Sequence, residues 1–313
     1  CSSDLSIVRD FEHLRLTEFG GRKWVTMGQS YGGFLTLTTL SLFPAGVIAS
    51  FTTGGIPHVP ACATEVYEHT FPRVIRKTAQ FYERYPQDKE RVAAIVEKLP
   101  TAAEVSEFVG KLTDSVLNPM AGTEVEHRLG VIAGMAAHGF PIMPNGDPLT
   151  VERLQCLGSD FGKKPSFERV HWILDSAFLD GDGSVSAASP LSDEFLTKVM
   201  NATSSRPLYW PLQEFIYANG EMDQPIRWAA QRVRDGKSEF GADVRPLNFT
   251  GEAMFPWMFE QEAALRPFKP AMDLLMEDTS FGVIYDEDQL ARNEVPLQAG
   301  VYFDDMYVDS GMQ

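Results

Sequence analysis

The feature that most restricts the fold is a Gly-Gln-Ser-Tyr-Gly motif at residues 28–32, which directly follows a short apolar run. Residues 23–27 predict a short buried strand, and the motif after them predicts a tight strand-to-helix turn. We expect a Cβ at Gly28 or Gly32 to collide with neighbouring backbone, and Gly33 to relieve the same crowding in the first helical turn. A strand, a sharp turn and a helix in this order predict a parallel sheet flanked by helices.

The segments around the motif extend this pattern. Residues 6–17 have helical spacing of apolar side chains. Residues 34–43 alternate apolar residues with Thr or Ser, which alone suggests a strand, but the preceding turn favours a helix. Residues 47–52 predict a neighbouring parallel strand, and residues 295–303 predict another buried strand near the end of the chain.

Between these segments the chain changes character. From about residue 62 to 290 its pattern is mostly helical, with Pro-rich breaks. We therefore predict a core with the sharp turn at 1–57, a mostly helical cap at 58–293, and a return to the core at 294–313. The clearest cap helices are predicted at 88–99, 102–112, 124–137, 150–157 and 167–178.

Composition limits the classes of partner. The net charge of −16 disfavours nucleic acid and anionic lipid as partners. The sequence contains no run of eighteen apolar residues, so it predicts no membrane span. The three cysteines, Cys1, Cys62 and Cys156, lie far apart and form no metal-binding spacing. We expect a cytoplasmic protein that needs no metal or cofactor, and the oligomeric state stays open.

Ser30 is the candidate nucleophile of the motif. A serine on such a turn projects above the sheet, and the backbone N–H of Tyr31 faces a developing oxyanion at the positive end of the following helix. The alternative is a glycine-rich turn in which Ser30 only caps a helix. A nucleophilic serine also needs a base and an acid. Asp305 is the favoured acid because it follows the last predicted strand, and the alternatives are Asp304, Asp309 or a merely acidic surface loop.

The base is harder to place. With this motif the order along the chain is Ser, then the acid, then His, yet all six histidines precede Asp305. His58 follows a predicted strand but does not fit this order. No strand with a Gly-rich oxyanion loop precedes residue 23 either. We expect the catalytic histidine to lie outside residues 1–313, the sheet to be incomplete, and this polypeptide alone to be inactive and prone to aggregate.

Several segments resemble, in order along the chain, those of bacterial proline iminopeptidases of the longer-capped branch. The resemblance implies an α/β-hydrolase core with a large helical cap, a serine mechanism without metal, and proteolysis that releases N-terminal proline from peptides through an acyl-enzyme. Ser30 matches the nucleophile and Asp305 the acid, whereas the family's oxyanion loop and histidine have no counterpart here. The segments are 4–10, 28–34, 53–57, 249–252, 256–260 and 304–309.

An aminopeptidase of this kind must bind the secondary ammonium of proline, which requires a carboxylate within an apolar pocket. Glu214 and Glu252 are flanked by aromatic residues, and we predict that they bind the substrate together with Tyr217 and Trp257. Surface acids on an amphipathic cap are the alternative for both glutamates. If neither binds the ammonium, the next candidates are Glu221 and Glu260.

Two other functions remain open: an esterase or amidase of the same fold, and a catalytically incomplete fragment that only binds. The serine in the motif disfavours hydrolases with an aspartate nucleophile. Residues 180–184 resemble the start of a calcium loop, but Val185 replaces the required glycine and Leu191 the required glutamate. We interpret that segment as a loop.

Overall fold

Three short strands form one parallel sheet in a computed structural model that describes residues 2–116, 124–178 and 189–313. They are β1 (Trp24–Gln29), β2 (Val47–Thr53) and β3 (Leu297–Gly300), in the spatial order β1-β2-β3. Val25 pairs with Ala49 across β1 and β2, and Ser50 pairs with Leu297 across β2 and β3. The predicted parallel pairing of the first two strands is confirmed, and the sheet takes its third strand from the far end of the chain.

Helices make up most of the rest, so the fold is α/β with a small parallel sheet. Short 3₁₀ segments lie at Pro44–Gly46, Cys156–Asp160, Pro207–Leu212, Phe215–Tyr217, Ser238–Phe240 and Arg266–Phe268. The α-helices are α1 (Ser2–Thr17), α2 (Tyr31–Leu42), α3 (Ala63–Arg84), α4 (Asp88–Val96), α5 (Ala102–Val116), α6 (Glu124–His138), α7 (Val151–Gln155), α8 (Phe167–Asp175), α9 (Asp193–Ser204), α10 (Ala229–Asp235), α11 (Met258–Gln261), α12 (Lys269–Leu275) and α13 (Glu287–Ala291).

Helix α2 confirms the helical interpretation of a segment whose alternation suggested a strand. Its threonine hydroxyls donate to carbonyl oxygens four residues earlier: Thr36 to Gly32 at 3.0 Å, and Thr38 to Phe34 at 3.2 Å. These bonds satisfy the hydroxyls inside the helix, so α2 can bury both its apolar and its hydroxyl-bearing faces. The helix is therefore a core element directly behind the turn.

The predicted burial of the outer strands is wrong. Val25 and Met27 on β1 are exposed, Met27 by 79%. The predicted strand at 295–303 shortens to β3, and Phe303 beyond it is 90% exposed. The reason is their place in the sheet: β1 and β3 are its edges, and no described element covers these side chains. Apolar character alone could not reveal which strands would be central.

The chain divides into two compact units. The first unit comprises residues 1–70, 212–230 and 273–313, and the second comprises 71–211 and 231–272. Residues 212–230 and 273–293, which the sequence pattern placed in the cap, thus belong with the sheet. Their attachment has a simple cause. Ile284 and Tyr285 pack with Leu37 of α2 in one apolar cluster, and the Asn219 side chain accepts from both of their N–H groups.

The second unit is helical. The predicted helices at 88–99, 102–112 and 124–137 correspond to α4, α5 and α6, whereas α3 and α9 were not predicted. A buried aromatic cluster holds the unit together, with Phe161 between Phe81 and Phe249 at centroid distances of 5.1 and 5.2 Å. None of the described helices is both long and apolar enough to cross a bilayer.

Candidate active site

The turn between β1 and α2 consists of one residue. β1 ends at Gln29, α2 begins at Tyr31, and Ser30 between them has φ 53° and ψ −120°. A non-glycine residue with positive φ is uncommon and marks a strained backbone. The Ser30 side chain makes no capping hydrogen bond, which counts against the helix-cap alternative. Ser30 is exposed, at the carboxyl end of the edge strand β1.

Three glycines allow the backbone to pack this closely around Ser30. A Cβ on Gly28 would overlap the carbonyl of Gly32, one on Gly33 would overlap the carbonyl of Gly55, and one on Gly55 would overlap the backbone of Ser30. The predictions for Gly28 and Gly33 are confirmed. The prediction for Gly32 is wrong, because nothing lies within 4 Å of its Cβ position. A Cβ on Gly28 would meet the backbone of the first helical turn, and one on Gly33 would meet Gly55 after β2, whereas the Cβ position of Gly32 is open.

Helix α2 begins immediately after Ser30, so its first backbone N–H belongs to Tyr31. N–H groups in the first turn have no acceptor within the helix and carry the positive end of its dipole. The position therefore suits an oxyanion donor.

An unpredicted residue holds Tyr31 in place. The Tyr31 hydroxyl donates to Oδ1 of Asp4 at 2.6 Å, and Asp4 is fully buried. Burial, reinforced by the hydrogen bond to Asp4, raises the pKa of Tyr31 above its ordinary value. Asp4 thus ties α1 to Tyr31 at the start of α2. The only signal in the sequence was that Asp4 falls within the segment that resembles the iminopeptidases.

Asp305 has the geometry expected of a triad acid. It is buried, and its Oδ1 accepts from the N–H groups of Tyr307 at 2.8 Å and Val308 at 3.1 Å. Its Oδ2 makes no hydrogen bond within the described residues and can accept from a further donor. Asp304 is exposed. Asp309 is buried, and its Oδ1 accepts from Gly311 and Met312 in a similar turn.

The end of β2 connects Ser30 to Asp305. The Ser30 N–H donates to the Thr53 carbonyl at 3.0 Å, and the Gly54 N–H donates to the Gly300 carbonyl of β3 at 3.0 Å. Gly54 has φ 58°, and a Cβ built there would lie 3.8 Å from Oδ2 of Asp305. Ser30 and Asp305 therefore follow the carboxyl ends of the two outer strands, on either side of the Gly-Gly turn that ends β2. Ligand sites of parallel sheets commonly occur at this edge.

His58 follows the same turn but is already engaged. Its Nε2 accepts from the Cys62 N–H at 3.1 Å and lies 3.5 Å from Oε2 of Glu65. Burial lowers the pKa of His58, and the nearby Glu65 offsets part of this effect. No contact between described residues pairs an imidazole with Asp305.

Two of the predicted substrate residues lie in the first unit. Glu214 is fully buried, and its two oxygens accept from the N–H groups of Ala229 at 3.1 Å and Ala230 at 2.9 Å, at the start of α10. Tyr217 is buried with its ring 5.5 Å from that of Phe34 and nearly perpendicular to it. Glu214 is thus no surface acid, and it has a clear structural role as a helix cap.

The other two lie in the second unit. Glu252 is partly buried and lines a cavity of about 590 Å³. Trp257 is buried, with its ring stacked on that of Phe255 at 6.1 Å. The reserve candidates have surface contacts: Glu221 accepts from Ser280 at 2.6 Å, and Glu260 accepts from Ser106 at 3.1 Å. The calcium-like segment, 180–184, lies outside the described residues.

Comparison with known proteins identifies relatives along almost the whole chain. A proline iminopeptidase of Aeromonas sobria is 36% identical over 310 residues, which cover 97% of this chain and 61% of the relative. The proline iminopeptidase aneH of Aspergillus aculeatus is 28% identical over 310 residues, which cover 97% of this chain and 59% of the relative. The chain therefore spans about three fifths of the length of these relatives. No protein-family model matches it.

Proposed function

Because the chain is a homologue of the proline iminopeptidases over almost all of its length, we propose that it carries the nucleophile of a serine aminopeptidase that releases N-terminal proline from peptides. The observation that carries the proposal is the conformation of Ser30, which sits at positive φ in a one-residue turn between β1 and α2. Strain of this kind persists only where the surrounding structure enforces it, and it concentrates at functional sites.

The reaction follows from the groups around the turn. Oγ of Ser30 adds to the carbonyl carbon of the N-terminal proline, while its proton passes to a histidine base that Oδ2 of Asp305 orients. The Tyr31 N–H and a second donor bind the oxyanion. When the intermediate collapses, the C–N bond breaks, the histidine protonates the leaving amine, and an acyl-enzyme remains. Water activated by the same base then hydrolyses the ester and restores Ser30.

Selectivity for an amino terminus requires a negative charge near an apolar pocket, and Glu252 has surroundings of this kind. It shares its cavity with the aromatic residues Tyr209 and Trp210. In such surroundings a carboxylate gains more from pairing with the substrate ammonium than it would in water. Trp257, which follows shortly after in the chain, supplies buried apolar surface, and we assign it to the same substrate site.

The assignments of Glu214 and Tyr217 also remain proposals, and each side chain has a second role. Both Glu214 oxygens already accept backbone N–H groups, so a substrate ammonium would have to share them. Replacing Glu214 by Gln would set an NH₂ group against an N–H donor and weaken the start of α10. Of the two glutamates, we therefore expect Glu252 to give the clearer separation between binding and folding.

The test is Glu252→Gln in the full-length enzyme, assayed on a proline arylamide and on a neutral acyl ester. Losing one partner of a desolvated charge pair typically costs about 2–5 kcal/mol, so kcat/KM on the arylamide should fall by roughly 30-fold or more. Activity on the ester should change little, because the ester has no ammonium. Glu83→Gln, which changes an exposed glutamate that does not line the cavity, is the matched control and should leave both activities unchanged.

Two other outcomes would redirect the proposal. Equal losses on the two substrates would mean that Glu252 supports the fold. Efficient cleavage of esters, with no activity on the arylamide in the parent enzyme, would assign the protein to the esterases of the same fold.

A further inference from the structure

The cavity that Glu252 lines, in the second unit, is built by two helices and the segments that flank them. Arg169 and Trp172 lie three residues apart on α8, and Lys198 and Asn201 lie three residues apart on α9. Residues at this spacing share one face of a helix, so each helix presents a cation together with a second side chain to the cavity. Its volume of about 590 Å³ is within the range of small-molecule pockets.

The walls are fixed by charges. Beside α8, Asp160 pairs with Lys163 at 3.0 Å and with Arg169 at 3.2 Å. Beside α9, the buried guanidinium of Arg153 donates from Nε to Oγ1 of Thr203 at 3.1 Å, and Thr203 lines the cavity. Both walls are therefore held in place without a ligand, which lowers the entropic cost of binding one.

The lining is positive in a strongly negative protein. Its cations are Lys163, Arg169, Lys198 and Arg206, whereas its acids are Asp160 and Glu252, so the lining carries two more positive than negative side chains. The chain as a whole has a net charge of −16. Nothing in the overall composition accounts for this local excess of cations, which attracts a small anion.

Arg206 has no competing partner among the residues that the structure describes. Its guanidinium makes no ion pair or hydrogen bond within the described ranges, and neither does the side-chain amide of Asn201. Lys198 pairs with Glu194 at 2.7 Å, an exposed i,i+4 contact that contributes little to stability, and its Nζ also donates to the Trp172 carbonyl at 3.5 Å. The guanidinium fork can take both oxygens of a carboxylate, with Asn201 and Lys198 as additional donors.

Aromatic rings supply the apolar part of the lining. Trp172 is 61% exposed although it is one of the largest apolar side chains of the unit. Trp210 also lines the cavity, edge-on to Tyr209 at 5.2 Å. An exposed tryptophan beside the donors of Arg206 and Asn201 suits a ligand that carries an apolar body next to its anionic group.

From these features we infer that the cavity binds a monocarboxylate with an apolar body, that is, the carboxylate end of an amino acid or a short peptide with a hydrophobic last side chain. Arg206, Lys198 and Asn201 bind the carboxylate, and the apolar side chain packs on Trp172 and Trp210. Asp160 and Glu252 disfavour polyanions, because a second or third negative charge would approach a carboxylate. Glu252, the proposed partner of a substrate ammonium, lines the same cavity. The inference rests on Arg206, Lys198 and Asn201 and does not depend on the proposed peptidase activity.

The experiment measures binding to the full-length protein by isothermal titration calorimetry. The ligands are N-acetylphenylalanine, N-acetylphenylalanine amide and inorganic phosphate. We expect saturable 1:1 binding of the acid only. Arg206→Gln should weaken that binding by about tenfold, the loss typical of one charge-assisted hydrogen bond. Lys198→Gln should weaken it to a smaller extent.

The matched control is Lys111→Gln, which also breaks an exposed i,i+4 pair, with Glu107, but lies outside this cavity. It should bind N-acetylphenylalanine like the parent. Equal binding of acid and amide would overturn the inference, and so would unchanged affinity in Arg206→Gln, an equal loss in Lys111→Gln, or tighter binding of phosphate. Thermal unfolding of each variant shows whether a lost binding signal reflects misfolding. Trp172→Phe provides a second variant, and it should retain binding with reduced affinity.

Phenylalanine and glycyl-phenylalanine then distinguish the two sources of the carboxylate. Tighter binding of the dipeptide assigns the site to a peptide end, and tighter binding of phenylalanine assigns it to a free amino acid. Either result requires the carboxylate and supports the inference. Because no turnover is measured, a failure here is distinct from a failure of the proposed reaction.

Discussion

Two adjacent glycines in the first turn of α2, Gly32 and Gly33, should respond in opposite ways to the same substitution. A Cβ on Gly33 would overlap the Gly55 carbonyl and lie 2.6 Å from its carbon, whereas a Cβ on Gly32 would have no neighbour within 4 Å. Both residues belong to α2. Gly32→Ala and Gly33→Ala therefore make the same chemical change in the same helix and differ only in what the new methyl group meets.

The magnitudes follow from the contact distances. The Gly33 Cβ would lie only 1.4 Å from the Gly55 carbonyl oxygen, and real Cβ atoms essentially never come within 3.0 Å of a non-bonded heavy atom. Gly33→Ala therefore requires α2 and the loop after β2 to separate by about 1.5 Å or more. Overpacking of this kind typically costs about 1–3 kcal/mol, and backbone resists it more than a flexible side chain does. Gly32→Ala should be neutral or stabilise the protein by up to about 1 kcal/mol, because alanine favours the helix.

Chemical denaturation of the two variants measures both effects, and activity on a proline arylamide shows whether Ser30 is still correctly placed. We expect Gly33→Ala to lose stability and most of its activity, and Gly32→Ala to retain both. Equal destabilisation by the two substitutions would refute the account of the turn, as would wild-type stability of Gly33→Ala.

Two further changes test the acid and a buried charge cluster. Asp305→Asn keeps the Oδ1 acceptor but places an NH₂ group where the imidazole N–H would donate, so kcat should fall by about 10⁴-fold with little loss of stability. Asp309→Asn, in a similar turn, should remain active. Equal activities of the two variants would remove Asp305 from the triad. Burial raises the pKa of Glu262 to about 7, although Arg153 at 3.5 Å partly offsets the effect, while nearby Asp147 raises it further. Between pH 4.5, the ordinary pKa of a glutamate, and pH 7, Glu262 therefore keeps its proton in the folded state and loses it in the unfolded state. The free energy of unfolding should fall by about 2–3 kcal/mol as the pH rises through this range. Urea titrations at several pH values should show that fall in the parent and a flatter profile in Glu262→Gln; identical profiles would contradict this role of Glu262.

Local chemistry made the turn predictable. The glycine spacing around Ser30 predicted the strand, the sharp turn and helix α2, and the order of segments predicted a parallel sheet. Gly32 was misjudged because sequence spacing does not show which side of a turn is crowded. That depends on the position of Gly55, which comes from a different segment.

Long-range placement could not be predicted. Nothing in the local pattern shows that Asp4 reaches Tyr31, or that Glu214 turns inward to cap α10. The exposure of Met27 and Phe303 also depends on which strands lie at the edges of the sheet, a tertiary property. Apolar sequence predicted that these segments would be strands but not whether they would be covered.

The central claim is that Ser30 is the nucleophile of a proline-releasing enzyme, and one comparison tests it most directly. The full-length protein and its Ser30→Ala variant are treated with a fluorophosphonate probe and assayed on a proline arylamide. We expect the probe to label Ser30 in the parent, and the variant to lose both labelling and several orders of magnitude of turnover. Wild-type-like turnover by Ser30→Ala would contradict the serine mechanism, and labelling of Ser30 without any proline release would contradict the substrate.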